Sequence, residues 1–166
     1  MLGGLSAQDN RKIPPLQYDA VSQVKRDFPD LPVVLNGGLR EPDAMLRALE
    51  GVDGIMLGRE AYHRPMVLAR LDALVFGAEP SLGNRDSNLE TLDAVARTRA
   101  LERMQRYTER QLARGERLSA VVRHMQGLYA GEPGADEFRR TLSEGARRAG
   151  AGAEVLAEAV ASTQSR

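Results

Sequence analysis

The chain has 166 residues, 23 basic and 23 acidic side chains, and no cysteine. Balanced charge by itself points to no anionic partner, and the lack of cysteine excludes disulfides, thiolate metal sites and cysteine nucleophiles within the chain. Only His63 and His124 are left as imidazole ligands, so no metal site is expected.

No run of ~18 apolar residues suggests a membrane span. The opening MLGGLSAQDN has neither the basic start nor the apolar core of a signal peptide. A soluble, cytoplasmic protein is the expectation.

The first half alternates helix and strand. PPLQYDAVSQVKRDFPD begins with prolines suited to a first helical turn and stops before Pro32. Leu16, Ala20, Val24 and Phe28 recur at four-residue steps, a stripe that should face a core. PVVLN then reads as a short buried strand, and EPDAMLRALEG as a helix with Pro42 in its first turn. DGIML reads as a second strand, and REAYHRPMVLARLDALVFG leads into a further helix; His63 there could face a working mouth, yet Pro65 suggests that it merely shapes a bend. Such an order, with short connections, is the grammar of a parallel α/β sheet. Two parallel strands need further neighbours to be stable, so the α/β half reads as incomplete.

Glycine, proline, serine and asparagine concentrate in FGAEPSLGNRDSN, a linker composition. Beyond it the strand signals cease. A long helix over NLETLDAVARTRALERMQRYTERQLARG ends near Gly115. ERLSAVVRHMQGLYAG places Leu118, Val121, Val122, Met125 and Leu128 on one helical face. DEFRRTLSEGARRAG and AEVLAEAVAS complete four helices of a small bundle. The organisation is therefore residues 1–77 as an α/β part, 78–88 as a linker and 89–166 as a helical domain.

Both strands end in glycine, at Asn36, Gly37 and Gly38 and again at Gly58 before Arg59. Bare glycine lets backbone N–H groups approach an oxyanion, and a guanidinium adds a fork that grips phosphate oxygens in two places. In barrels of strand–helix units, loops after neighbouring strands often cradle one phosphate. The plainer alternative is an ordinary turn and an ordinary helix start, and the pattern alone leaves both open.

These residues sit in three blocks, GLSAQDNRKIPPLQYDAVSQVKRDFPDLPVVLNGGL, VDGIMLGREAYHRP and VVRHMQGLYAGEPGADEFRRTLSE. Together they resemble the C-terminal portion of bacterial tRNA-dihydrouridine synthases of the A subfamily, nearly collinearly from Gly4 to about Leu156. The resemblance implies the last part of a flavin-binding (β/α)8 TIM barrel, with PVVLN and DGIML as its seventh and eighth strands, followed by a helical domain that helps hold tRNA. It implies contacts from Asn36, Gly37, Gly38, Gly58 and Arg59 to the phosphate end of FMN. In that family reduced FMN delivers hydride to a uridine base, a cysteine donates the proton, and NADPH replenishes the flavin. The cysteine and an upstream glutamine and lysine of the family fall outside this chain, which thus reads as a truncated product, a mis-called start or an isolated segment that lacks its N-terminal barrel half. No catalytic residue is expected in it, and alone it should not reduce uridine.

For RNA, the resemblance implies tRNA contacts from Arg11, Arg139 and Arg140. Two positions depart from the subfamily pattern: Gln8 stands where lysine is usual and Asp136 where arginine is usual, and an aspartate repels phosphate. Independently, Arg99, Arg103, Arg106, Arg110, Arg114 and Arg117 recur at three- and four-residue steps along one helical face. That face is either a phosphate-tracking surface or a solvated one laced by pairs such as Glu102–Arg106 and Glu109–Arg106. Against the whole enzyme reading stands a non-enzymatic RNA-binding remnant in which residues 89–166 alone fold stably.

Overall fold

The structure is a computed structural model describing residues 16–77 and 85–164, with the backbone alone described over 85–90. The element order is α1 (Tyr18–Asp27), β1 (Val34–Asn36), α2 (Pro42–Leu49), β2 (Gly54–Met56), α3 (Arg59–His63), α4 (Met66–Phe76), α5 (Arg85–Ala113), α6 (Leu118–Val122), α7 (Ala135–Gly145) and α8 (Glu154–Ser162). The described residues are mostly helical around one small parallel sheet. The chain divides into two compact units, one ending at Gly58 and the other beginning at Arg59.

In the first unit β1 and β2 pair in parallel, with Val34 opposite Gly54, Leu35 opposite Ile55 and Asn36 opposite Met56. Pro42 opens α2, where its missing N–H costs no helical hydrogen bond. Leu35, Leu39 and Met45 are buried, Met45 completely. The α1 stripe differs from expectation. Its spacing does produce a helix, but Leu16, Val24 and Phe28 are 43, 42 and 60% exposed, and α1 buries none of its residues. A stripe is buried only by an opposing apolar layer, and two three-residue strands supply too little of one.

The start of the ladder is tied by Asp53. Its N–H donates to the Val33 carbonyl at 2.9 Å, while its carboxylate accepts from the Val33 N–H at 2.8 Å and pairs with Lys25 at 2.9 Å. The Val33 N–H first, and the Lys25 ammonium second, hold the Asp53 carboxyl below its ordinary 3.8. A depressed folded pKa stabilises the fold above the unfolded value, and that contribution is lost as pH falls through the folded one. Native-state amide exchange at Leu35 and Ile55, corrected for intrinsic rates, should therefore lose protection below about pH 4. Asp53→Asn should lower that protection and remove its acid dependence. Curves of identical shape for parent and variant would rule out this tie.

In the second unit, Pro65 separates α3 from α4, and α4 is clamped to α5 by a two-pronged ion pair. Both Asp93 oxygens accept from Arg70 Nε, at 3.1 and 2.9 Å, and Arg70 Nη2 closes the fork. Asp93 is 2% exposed, so its charge is held where an unpaired carboxylate would be costly. By packing, α3 and α4 go with the helices that follow rather than with the strands. The main core joins Leu118, Val122, Met125 and Leu128 to Phe138, Leu142, Val155, Leu156 and Ala159.

The segment after Leu118 corrects the sequence expectation of one continuous helix. The five apolar residues are all buried as their spacing implies, yet α6 stops at Val122 and successive turns follow. Met125, Leu128, Ala130 and Glu132 each donate three residues back. Two distant partners explain the interruption. A Cβ on Gly127 would lie 2.5 Å from the His63 carbonyl oxygen, so the chain there runs against backbone. The Leu128 carbonyl, meanwhile, accepts from Arg97 Nε at 3.1 Å.

Candidate functional site

Asn36 ends β1 opposite Met56, and Gly58 follows Met56 by two residues. The parallel register thus brings the two glycine-terminated strand ends out side by side. Gly37 and Gly38 have φ of 129° and 66°, conformations that glycine adopts without steric cost. The two glycine sites nevertheless differ. The Tyr18 hydroxyl donates to the Gly37 carbonyl at 2.9 Å, and a Cβ on Gly38 would lie 2.3 Å from Leu16 Cδ1 and 2.7 Å from the Tyr18 hydroxyl. Here the chain's own turn, pinned by Tyr18, already requires glycine. A Cβ on Gly58 would meet nothing within 4 Å, so packing does not require glycine there, and space for an approaching group is open. A shallow hollow of about 430 Å³ in this unit is lined by residues from Leu16 to Ala20; none of the candidate residues lines it.

Arg59 opens α3 and the second unit; it is exposed and makes no ion pair with another described residue. Since α3 has five residues before the Pro65 break, the chemistry on offer at this point is the guanidinium rather than a long helix's amino end. The same short helix carries an interaction that sequence spacing did not suggest. Arg123 Nε donates to His124 Nε2 at 2.9 Å, which in the neutral ring leaves the proton on Nδ1, 2.9 Å from the Tyr62 hydroxyl. His124 is thus a surface packing residue joining α3 to the turn after α6. The signal for it was the Arg-His pair facing an aromatic 62 residues away, a separation no local pattern bridges.

Arg11 lies outside the described residues. Arg139 is half-buried and its Nη2 is held by Asp136; Arg140, next along α7, is exposed. The α5 arginines fall into two classes. Arg97 is 9% exposed; its Nη2 donates to Glu132 at 2.8 Å and its guanidinium stacks 4.7 Å from the Tyr129 ring centre. Arg99, Arg103, Arg106 and Arg110 face solvent. The pairs expected from Glu102 and Glu109 to Arg106 do not form, and Glu109 accepts from Gln105 at 3.1 Å instead. Helix α5 ends at Ala113 and Gly115 turns left-handed at φ 87°, so Arg114 and Arg117 lie beyond the helix, Arg117 as the extended N-cap of α6, and the expected helical face of six arginines is cut to four.

Among the described residues no group of acidic or imidazole side chains is placed to hold a metal ion, and no helix is long and apolar enough to cross a membrane.

Residues 3–165 match the family model for dihydrouridine synthase. The chain is 45% identical over 159 residues to a tRNA-dihydrouridine(20/20a) synthase of Salmonella typhi, covering 96% of this chain and 44% of that protein. It is 41% identical over 160 residues to the tRNA-dihydrouridine(20/20a) synthase of Vibrio cholerae, with 96 and 45% covered. Against the enzyme of the same name from Escherichia coli K12 it is 44% identical over 159 residues, with 96 and 43% covered. The chain spans less than half the length of these relatives. A match along nearly the whole sequence, including both glycine-ended strands and the helical unit, means that the chain belongs to the dihydrouridine synthase family.

Proposed function

We propose that this chain is the C-terminal part of a cytoplasmic, FMN-dependent tRNA-dihydrouridine synthase, with β1 and β2 as the last two strands of a (β/α)8 barrel and the later helices as its tRNA-holding domain. The observation that supports it most is the parallel pairing of Asn36 with Met56, in a sequence about 45% identical to tRNA-dihydrouridine synthases. When bound, FMN reduced by NADPH supplies the hydride that converts uridine to 5,6-dihydrouridine. This chain's own share is binding. Asn36, Gly37, Gly38 and Gly58 would hold the flavin's phosphate through backbone N–H groups and the Asn36 amide, and Arg59, next to Gly58 in sequence, would neutralise its charge. The residues fit such a group: Gly58 has open space where a Cβ would sit, and Arg59 spends its charge on no described neighbour. Arg11, Arg139 and Arg140 contact tRNA phosphates.

In a protein extended to the full length of the relatives, Arg59→Ala should weaken FMN binding roughly 10- to 100-fold, the equivalent of about 1.5–3 kcal/mol for a charged hydrogen bond. Flavin absorbance after gel filtration reads this directly, and undiminished flavin content overturns the assignment. A second reading, an RNA-binding remnant without flavin, is favoured by the position of the main core, which lies wholly in the helical unit, and by the absence of cysteine. It would be recognised by tRNA binding that survives in a chain unable to take up FMN at any length.

A further inference from the structure

We propose that the outward face of α5, built by Arg99, Arg103, Arg106 and Arg110, is the main phosphate-tracking surface for tRNA in this chain. The inference rests on the tRNA reading above.

Three observations carry it. First, geometry sorts the helix cleanly. Asp93, Arg97 and Thr108 are buried, and Ala100, Leu101, Met104 and Leu112 pack against the core. At 100° per residue the four arginines cluster on the opposite side. They climb the helix in steps of about 4.5–6 Å, so the row presents a line of cations about 16 Å long. Second, the row is electrostatically unspent. All four guanidinium groups are exposed, and none makes an ion pair with another described residue. The two nearest acids, Glu102 and Glu109, pair with none of them, and Glu109 accepts from Gln105 instead. Third, Arg139 of α7 is not equivalent to these. Arg139 is already engaged by Asp136, whose side chain is 87% exposed, and any phosphate arriving there meets a carboxylate as well as a guanidinium.

A row of exposed arginines at regular spacing, with buried residues fixing the helix behind it, suits a polyanionic backbone, and the exposed Val95 and Tyr107 of the same helix flank the row without interrupting it. Its contacts would supply affinity and orientation and read no bases. Which uridine is modified would then depend on how this face registers the tRNA.

The test is binding of unmodified tRNA to the 166-residue chain across a salt series. The parent, Arg103→Gln/Arg106→Gln/Arg110→Gln and the matching triple lysine variant are compared. Each lost phosphate contact lowers the slope of log affinity against log salt by about 0.7–0.9. The glutamine variant should therefore lose about 2–3 in slope, and the lysine variant should keep the parent's. A glutamine variant with the parent's slope overturns the inference, as does a lysine variant that falls equally far, since charge would then not be the cause. Should the parent itself fail to bind tRNA at low salt, the broader tRNA reading fails, and the two failures are told apart by that one curve. Because the substituted residues are exposed, circular dichroism matching the parent's is expected throughout.

Discussion

Arg97→Met is expected to destabilise the helical unit by about 2–4 kcal/mol, whereas Arg103→Met on the same helix should stay within about 0.5 kcal/mol. The two residues are both arginines on α5, six positions apart, and differ in what surrounds them. Arg97 donates to the Leu128 carbonyl at 3.1 Å and to Glu132 at 2.8 Å, and covers the Tyr129 ring. Methionine keeps most of the apolar stem but leaves a buried carbonyl and a carboxylate without their donor, and an unmade buried bond costs more than a made one contributes. The segment it holds has no helix of its own to fall back on, since residues 123–134 are joined by turns. Urea midpoints followed by far-UV circular dichroism would measure the difference, and equal shifts for both variants would refute the anchoring role. A second readout is independent of stability. Burial raises the Tyr129 hydroxyl above its ordinary 10.0, and Arg97 opposes that rise. Ultraviolet titration of the folded variant should therefore find Tyr129 ionising at still higher pH.

What could be read from sequence were the features with local causes. Two short apolar runs closed by glycine, helices opened by Pro42 and bent at Pro65, and a long amphipathic helix all have their reasons within a few residues, and the structure contains each of them. The burial of Leu118, Val121, Val122, Met125 and Leu128 was legible as well, because periodicity records which side faces the core. Their backbone was not. Whether a helix continues past Val122 depends on the His63 carbonyl lying against Gly127 and on Arg97 reaching Leu128 from α5, and neither partner is within 25 residues along the chain. The exposed stripe of α1 failed in the opposite way: its periodicity is sound, but periodicity says that a face is apolar, not that anything covers it.

The candidate site divides along the same line. That the two glycine-ended strands lie side by side follows from the helix–strand–helix order, which favours parallel pairing, and the register bears this out. That the glycines have different reasons to be glycine was invisible. Gly38 is held to its identity by positive φ and by Leu16 and Tyr18, whereas a Cβ on Gly58 would stand in open space; only a structure separates a turn requirement from a position where packing asks nothing. Arg139 and Arg140 likewise look equivalent in FRRTLSE. Helical geometry places Asp136 three residues before Arg139 and engages it, leaving Arg140 exposed. The same geometry decides the α5 row, where Gln105 takes Glu109 and leaves Arg106 to solvent.

Phe138→Ala should produce the largest loss of stability, about 3–5 kcal/mol. Phe138 is completely buried in the cluster with Leu142, Val155 and Leu156, and its ring lies 4.5 Å from that of Tyr129. The cost of a large-to-small change depends on how far the surroundings close the cavity. Here closure is resisted from two directions. The amino end of α7 is seated at Gly134, where even a Cβ would lie 2.7 Å from the Thr163 backbone, so α7 cannot slide toward α8. At Gly145 a Cβ would lie 2.5 Å from Val155 Cγ1, so the far end is equally close-packed. The loss should thus fall in the upper part of the range. Tyr129 touches both Phe138 and Arg97, so the two variants share a partner and should not add. Phe138→Ala with Arg97→Met is expected to cost less than the sum of the singles by about 1 kcal/mol, because the first change already frees the ring that the second would release. Additivity within about 0.3 kcal/mol would mean that the stacked row from α5 to α7 does not act as one element. Under conditions where the Phe138→Ala chain remains folded, its tRNA salt slope should match the parent's, since the cations proposed to follow the phosphates sit on the outer side of α5 and not on the helix that was loosened.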